Sequence, residues 1–321
     1  MIDPTLTTVP AMARLRVAFL GPAASFSHQA AAEAFGKTSA ELQPCVSFAE
    51  AFSAVQQQTA DYAVIPCENS TNGSVVQTLD LLADRNGLYN DVKVCSEYYL
   101  TVHHCLLVHQ GSFPSGWAGY DGSITKLYTH PQAWGQCDTF LSRYFKGVER
   151  QDVSSTSKAA EIVSKETAER GAAIASRFAA EHHGVDVLQE NIEDRADNTT
   201  RFLILRNVLA ERTAQLAAEQ AATDFAASHK TLISFTINHS SPGALADALL
   251  IFKAHGLNLT SINTRPSLKR AWQYIFFVEC ARTPSDENKD AVLKVLTDLR
   301  NVTESCRDLG TWNDQSSPSR G

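Results

Sequence analysis

Hydroxyl, amide and guanidinium side chains are concentrated in four short clusters of this 321-residue chain, and each cluster adjoins a run of apolar residues. Groups of these types can hold a carboxylate and can donate a hydrogen bond to a leaving group. The clusters are therefore candidates for a site that binds a small anion. They occupy residues 21–27 (GPAASFS), 68–74 (ENSTNGS), 129–137 (THPQAWGQC) and 198–202 (NTTRF).

An ordinary structural explanation stays open for each cluster. Residues 21–27 and 68–74 precede predicted helices, where free N–H groups and the helix dipole favour an anion, but Ser and Asn also serve there as caps and turn residues. In the fourth cluster Thr200 could donate to a leaving group while Arg201 holds a carboxylate. A Thr at a strand edge and an exposed Arg are nevertheless common, so spacing alone does not decide.

Short apolar runs alternate with helical patterns from Leu15 onward, which predicts βα units and a parallel or mixed sheet. The first unit is a strand over 15–20, a turn at Gly21-Pro22 and a helix over 27–35. A second set of strands and helices covers 124–175, and the apolar run 200–205 is placed to return to the first set. Two α/β lobes with a cleft between them are expected, and ligands in such sheets bind beyond the strand carboxyl ends.

The chain beyond residue 208 changes character. An Ala-, Gln- and Glu-rich stretch predicts a helical linker, and the following strands and helices have the βαββαβ order of a ferredoxin-like sandwich. The predicted units are an N-terminal extension (1–14), a two-lobed domain (15–208, with lobes 15–103 plus 190–208 and 104–189), a linker (209–229), a second domain (230–312) and a disordered tail (313–321).

Composition excludes several classes of protein. A formal charge of -7 makes a broad nucleic-acid footprint improbable, and no run of 18 apolar residues suggests a membrane span. The start of the chain has no secretory pattern. The seven cysteines are scattered without a CxxC pair, as expected for thiols in a reducing cytoplasm. Adjacent histidines at 103–104 and 182–183 point apart on a strand or helix, so we expect no metal site.

Taken in order, the clusters resemble those of the prephenate dehydratase family, with its catalytic domain followed by an ACT regulatory domain. The resemblance extends from about Leu15 to Trp312. VAFLGPAASFSHQAA (17–31) is similar to the family's opening strand and loop, and YAVIPCENSTNGSVVQTLDLL (62–82) to its P-x-E-N-[ST]-x-x-G segment. Three further matches are LYTHPQAWGQC (127–137), STSKAA (155–160) and DNTTRFLIL (197–205).

The resemblance implies two α/β lobes around a cleft, like a type II periplasmic binding protein. It also implies the decarboxylative dehydration of prephenate to phenylpyruvate in phenylalanine biosynthesis, with no cofactor. The substrate carries two carboxylates and a ring hydroxyl, so an enzyme needs only to bind two anions and to help hydroxide leave. Positioned acid catalysis contributes about 10² to 10⁴ in rate to such a step.

Site residues follow from the matched motifs. The family's catalytic Thr falls on Thr200, as hydrogen-bond donor to the departing hydroxyl, and three polar residues position the substrate: Asn69, Thr129 and Gln136. We expect Arg201 at one carboxylate, and Ser25 with the loop Ser70, Thr71 and Gly73 at the other. Phe202 is a candidate for ring contact, but core packing is the favoured alternative. Ala24 replaces the usual second Gly of the first loop, at a cost of about 1 kcal/mol if its φ is positive.

The second domain resembles the ACT segment that binds phenylalanine, the feedback inhibitor. SPGALADALLIFKAHGLNLTSINTRPS (241–267) matches its Gly-Ala-Leu turn and its E-S-R-P strand, with Asn and Thr in place of Glu and Ser. A carboxylate that could face the ammonium of the ligand is therefore missing. The expected ligand residues are Gly243, Ala244, Leu245, Asn263, Thr264, Arg265 and Pro266.

Other functions remain open at this point. An arogenate dehydratase would use the same residues, and the few residues before the first strand favour prephenate over a plastid enzyme. They also leave no room for a fused chorismate mutase, which predicts a monofunctional chain. A non-catalytic amino-acid sensor would retain the cleft without turnover, and a transcriptional regulator lacks a basic helix-turn-helix. A homodimer or homotetramer is expected from the resemblance.

Overall fold

The computed structural model describes residues 14–36, 38–113, 122–165, 170–215, 228–282 and 290–316. Predictions for most of the N-terminal extension, for linker residues 216–227 and for tail residues 317–321 lie outside these ranges. The described chain forms three β-sheets of six, five and four strands. Two of them belong to the predicted lobes, and the third belongs to the C-terminal domain.

The first lobe is a mixed sheet with the strand order β2-β1-β3-β11-β5, to which β4 adds beside β3. Parallel pairing of β1 with β2 and β3 follows from the helices that cross between them, whereas β11 runs antiparallel to β3 and β5. The strands are β1 (Leu15–Leu20), β2 (Ala40–Cys45), β3 (Tyr62–Asn69), β4 (Gly73–Ser74), β5 (Val92–Thr101) and β11 (Thr199–Asn207). The helices are α1 (Phe26–Phe35), α2 (Phe48–Gln56) and α3 (Val76–Ala83).

The second lobe is a five-stranded sheet with the order β10-β6-β9-β7-β8. The segment from residue 131 to residue 144 forms two short helices, because Cys137 caps the end of α4 and the start of α5. The strands are β6 (Cys105–Val108), β7 (Lys126–Thr129), β8 (Glu149–Asp152), β9 (Gly171–Ala175) and β10 (Asp186–Gln189). The helices are α4 (Pro131–Gln136), α5 (Asp138–Tyr144), α6 (Thr156–Lys165) and α7 (Arg177–His183).

Polar caps begin the helices that border the cleft. Ser25 accepts a hydrogen bond from the N–H of His28 at the start of α1, and Ser47 accepts from Glu50 at the start of α2. Each cap satisfies one of the N–H groups that a helix leaves unpaired in its first turn. The Glu50 carboxylate in turn accepts from the N–H of Val46, just before the cap.

The C-terminal domain has the expected βαββαβ order, with an antiparallel sheet β13-β14-β12-β15. One face of this sheet packs on two helices through residues such as Phe235, Phe252 and Leu299. Helix α8 begins after Gly243 and has no side-chain cap. The elements are β12 (His229–Thr236), α8 (Ala244–Ala254), β13 (Asn258–Pro266), β14 (Tyr274–Arg282), α9 (Ala291–Val302) and β15 (Ser305–Asn313).

The other face of the C-terminal sheet packs on the first lobe. Leu232, Phe277 and Trp312 share one hydrophobic cluster with Val94 and Leu205 of the first-lobe sheet. Residues 313–316, predicted as disordered tail, are held at this interface, because Asp314 pairs with Lys230 at 2.8 Å and Gln315 N–H donates to Glu97. The two domains therefore share a buried core.

Candidate active site

A cleft of about 570 Å³ lies between the two lobes, where the first-lobe chain crosses to the second. It contains the carboxyl ends of strands and the starts of α1, α3, α4 and α6. Its lining includes members of all four polar clusters. The polar lining residues are Ser25, Ser27, Asn69, Asn72, Ser74, Gln77, His104, His130, Gln132, Gln136, Ser154, Ser155, Thr156 and Thr200.

Thr200 and Asn69 form a direct pair in this cleft. They are register partners on β11 and β3, and Asn69 Nδ2 donates to Thr200 Oγ1 at 3.0 Å. Asn69 Nδ2 also donates to Asn198 Oδ1 at 2.8 Å, and its Oδ1 accepts two backbone N–H groups of the following loop. Because the Thr200 oxygen accepts from Asn69, its own proton remains available as a donor toward the cleft.

In the loop after Asn69, some residues hydrogen-bond to the start of β11 and others line the cleft. Ser70 Oγ accepts from Thr199 N–H at 2.9 Å, and Thr71 Oγ1 donates to Asn198 Oδ1 at 3.3 Å. These two hydroxyls join the loop to the start of β11 and are outside the cleft lining. Gly73 lies in the lining with a φ of +78°, and a side chain there would be strained.

The first loop places Ser25 in the lining, although its hydroxyl is already engaged. Ser25 Oγ donates to Leu20 O and accepts from His28 N–H, each at 3.2 Å. Ala24 has the positive φ anticipated for this position, +61°, and its N–H donates to His28 Nδ1 at 2.8 Å. The loop thus keeps a left-handed residue, at a cost of about 1 kcal/mol for a residue with a Cβ.

No arginine, lysine, aspartate or glutamate lines the cleft within the part of the chain that the structure describes. An anion there would meet neutral donors: hydroxyls, amides and the free N–H groups at the starts of α1, α3 and α6. Ser155 begins α6 and accepts from Lys158 N–H at 3.0 Å. Helix starts of this kind carry partial positive charge and are suited to carboxylates.

A family model described as prephenate dehydratase matches residues 17–208, which is the whole two-lobed domain. The chain belongs to the prephenate dehydratase family. A bifunctional chorismate mutase/prephenate dehydratase of Aquifex aeolicus is 37% identical over 299 residues, 93% of this chain and 74% of the relative. An Arabidopsis thaliana arogenate dehydratase/prephenate dehydratase 2, chloroplastic, is 32% identical over 296 residues, 89% of this chain and 70% of that protein.

Two solved structures extend the similarity to nearly the full chain. The prephenate dehydratase of Arthrobacter aurescens in complex with L-Phe has a TM-score of 0.76 at 27% identity, covering 94% of this chain and 90% of that one. GqqA, described as a novel type of quorum quenching acylase, has a TM-score of 0.75 at 25% identity and covers 94% and 98%. The expected fold class, two α/β lobes followed by a smaller domain, is confirmed for this member of the prephenate dehydratase family.

Arg201 does not reach the cleft, contrary to the expectation that it binds a substrate carboxylate. Its guanidinium points to the opposite side of the sheet, where Nε donates to Glu97 at 2.8 Å and Nη2 donates to Glu279 of the C-terminal domain at 2.5 Å. Adjacent residues on a strand face opposite sides, so Thr200 and Arg201 cannot both face the cleft. Both carboxylates and the guanidinium are buried.

Two other expectations for the prephenate dehydratase motifs need correction. Thr129 is fully buried and donates to Ile174 O at 2.7 Å, which ties β7 to β9 away from the cleft surface. Phe202 is 1% exposed and packs with Phe19 and Val64 in the first-lobe core, as its alternative anticipated. Gln136 of the same His-Pro-Gln stretch does line the cleft.

Sequence reasoning assigned no role to several lining residues. His104 is 1% exposed and its Nε2 lies 2.8 Å from Gln136 Oε1. Ser155 and Thr156 begin α6, and the signal that could have found them is a Ser-Thr pair directly before a helical pattern. His104 had no comparable signal, because its contact with Gln136 joins segments that are 32 residues apart.

The predicted phenylalanine residues lie in two segments of the C-terminal domain. Gly243 has a φ of +85° before α8, and Ala244 and Leu245 pack against the domain core. Along β13, Asn263 accepts from Ser74 at 2.7 Å and Arg265 holds Asp80 in a two-pronged pair at 2.9 and 3.0 Å. Thr264 is exposed, and the Pro266 carbonyl accepts from Arg85.

Two absences hold for the residues that the structure describes. No helix there is long and apolar enough to cross a membrane. Nor do three or more His, Cys, Asp or Glu side chains come together there in a group that could hold a metal ion.

Proposed function

We propose that the chain is a prephenate dehydratase, a carbon–oxygen lyase that converts prephenate to phenylpyruvate in phenylalanine biosynthesis. The observation that carries this proposal is the pair formed by Asn69 and Thr200. Asn69 donates to one lone pair of the Thr200 hydroxyl oxygen and leaves the hydroxyl proton free to face a departing group. Membership of the family supplies the substrate class, and the pair supplies the donor that the reaction requires.

The reaction needs little more than that donor. Prephenate loses carbon dioxide from its ring carboxylate, the C–C bonding pair enters the ring, and hydroxide leaves from the opposite carbon to give an aromatic product. A hydrogen bond from Thr200 stabilises negative charge as it develops on the leaving oxygen, and such donors contribute about 10² to 10⁴ in rate. No redox step occurs, so we infer that no cofactor is used.

Neutral donors hold the two carboxylates in this proposal. The starts of α1 and α6, at Ser25 and Ser155, and the N–H groups around Gly73 replace the arginine that the sequence suggested. Fixed N–H dipoles stabilise an anion without the cost of desolvating a second ion. Asn69 and Gln136 orient the substrate, Asn69 chiefly through Thr200.

Arogenate is the alternative substrate, and the Arabidopsis relative is named for both activities. It carries an ammonium group where prephenate carries a keto group, and the cleft has no carboxylate in its described lining to select the ammonium. This favours prephenate. The deciding assay is steady-state turnover of prephenate and of arogenate, each with and without phenylalanine. Conversion of arogenate alone would replace the proposed substrate, and conversion of neither would leave a non-catalytic sensor.

We further infer that the C-terminal domain is an ACT domain through which phenylalanine inhibits the enzyme. The support is contact between β13 and the catalytic domain: Asn263 accepts from Ser74, which lines the cleft, and Arg265 holds Asp80 on α3. A ligand that moves β13 would therefore disturb the loop beside Asn69. Asn and Thr at 263 and 264 set the strength of the response.

A second copy of the chain would pair with the edge strand β13. This strand has a neighbour on one side only and exposes Leu259 and Ile262 by 37% and 50%. Unpaired edges with apolar side chains favour association. We therefore propose a homodimer or homotetramer, measurable by light scattering during size exclusion.

Seven free thiols, each with a pKa raised by burial, support a cytoplasmic enzyme.

A further inference from the structure

His104 lies where the chain crosses between the lobes, buried beneath the cleft surface. Its Nε2 is 2.8 Å from Gln136 Oε1, and the edge of its ring meets Phe26 with centroids 5.7 Å apart. The Nδ1 atom is buried and has no hydrogen-bond partner within the described ranges. The imidazole therefore has one polar contact, and that contact is with a residue of the proposed active site.

The unpartnered Nδ1 decides which atom of His104 carries the proton. If Gln136 turned its amide nitrogen toward His104, Nε2 would have to accept, and Nδ1 would carry a buried N–H with no acceptor. Buried N–H groups without partners are rarer in proteins than unpaired acceptors. Burial also lowers the pKa of His104 more than its Gln136 hydrogen bond and the Glu193 charge raise it. Neutral His104 thus donates from Nε2 to Gln136 Oε1.

The same segment of chain holds the backbones of both residues. Glu193 Oε2 accepts from His104 N–H at 2.8 Å, and Asp194 N–H donates to Gln136 O at 2.7 Å. With its Oε1 fixed by His104, the Gln136 amide can direct only its Nε2 donors toward the cleft. No described residue accepts from that Nε2.

We propose that His104 is a positioning residue that orients the Gln136 amide so that its N–H donors face the substrate oxygens. The proposal rests on the function proposed above. Without His104, the amide can rotate by half a turn and present its carbonyl oxygen to a substrate that is itself rich in oxygen anions. Misplacement of a positioning group costs up to about 10²-fold in rate, and we expect a loss of about 10- to 100-fold in kcat/KM.

Three substitutions at one position test the role. In His104→Gln the amide nitrogen lies near the former Nε2, whereas in His104→Asn it lies near the former Nδ1, and His104→Leu removes the donor. We expect His104→Gln to keep kcat/KM within about threefold of the parent, and the other two to lose about tenfold or more, as for one lost hydrogen bond. Equal losses in the Asn and Gln variants would overturn the proposal.

The dependence on Gln136 is tested separately. In a Gln136→Leu background, His104→Leu should change kcat/KM by less than about twofold, because residues acting as a unit are not additive. An additive loss would overturn the proposal and assign His104 a packing role. If His104→Leu does not fold, the comparison of Asn with Gln decides alone. A parent enzyme that does not convert prephenate refutes the proposed function, whereas an active parent with an unaffected His104→Leu variant refutes this inference only.

Discussion

Replacement of Arg201 by methionine distinguishes the role found in the structure from the role expected from the sequence. Arg201 forms ion pairs with Glu97 at 2.6 Å and Glu279 at 2.5 Å, and both carboxylates are almost completely buried. Burial opposes the charge on Arg201, but these two carboxylates outweigh it and raise the pKa of the guanidinium. Arg201 therefore joins the strand that carries Thr200 to the C-terminal sheet.

The expected loss of stability follows from the partners that each of the two carboxylates retains. After Arg201→Met, Glu97 keeps Lys230 at 3.0 Å, but among the described residues the side chain of Glu279 keeps only the Thr260 hydroxyl at 2.7 Å. A buried charge left without its partner costs about 3–5 kcal/mol. With roughly 2–4 °C per kcal/mol, the melting temperature should fall by roughly 10 °C. Adding Glu279→Gln removes the stranded charge and should recover a large part of the loss.

The assay is urea unfolding of the parent, the single variants and the double variant, together with prephenate kinetics under conditions where each is folded. The expected KM stays within about threefold of the parent, because no contact of Arg201 faces the cleft. The matched control is Arg206→Met on the same strand, a residue outside this ion network. An unchanged unfolding midpoint with a KM raised tenfold or more would refute the reasoning and restore the carboxylate role.

Three further outcomes are expected. Thr200→Val should lower kcat by about 10²-fold or more, while Thr200→Ser keeps most of it because the hydroxyl donor remains; equal kcat values for the two variants would contradict the donor role. Asn263→Ala should weaken inhibition by phenylalanine at least fivefold with little change in uninhibited turnover, and an identical inhibition curve would remove Asn263 from the regulatory contact. Gly310→Ala places a Cβ in direct collision with the backbone oxygen of Val94, so the free energy of unfolding measured in urea should fall by several kcal/mol. A normal unfolding midpoint would show that the domains are not packed this way.

The pH dependence of stability provides a test at the domain boundary. Burial raises the pKa of Asp80, but hydrogen bonds from Arg265 and Arg85 outweigh it and lower the pKa below the ordinary value. A carboxyl with a lowered pKa contributes stability above its unfolded pKa and loses it as the pH falls through the folded pKa. When the pH is lowered from roughly 5 to roughly 3, the free energy of unfolding of the parent should therefore fall more than that of Asp80→Asn. Parallel curves would contradict this contribution.

The linear pattern of residues was enough to predict the elements that form the cleft. Runs such as 15–20 and 62–65 are apolar and flanked by turn residues, so they fold as strands in almost any context. Ser25 supplies a hydrogen-bond acceptor for the first turn of α1, and a Ser before a helical pattern can be recognised in the sequence. The break at Cys137 was not predictable in the same way, because Asp194 of a distant segment accepts from Thr139 N–H and fixes the start of α5.

The sequence by itself determined which polar residues meet at strand ends. Side chains alternate along a strand, so Thr200 and Arg201 face opposite sides, although both were expected at the substrate. The sequence did not determine which side faces the cleft. That choice belongs to the tertiary structure, because the C-terminal domain covers the outer face of the first-lobe sheet and supplies Glu279 there. A buried guanidinium needs a carboxylate partner, and Arg201 finds it on that side. Thr200 is consequently left on the side where Asn69 and the substrate cleft are found.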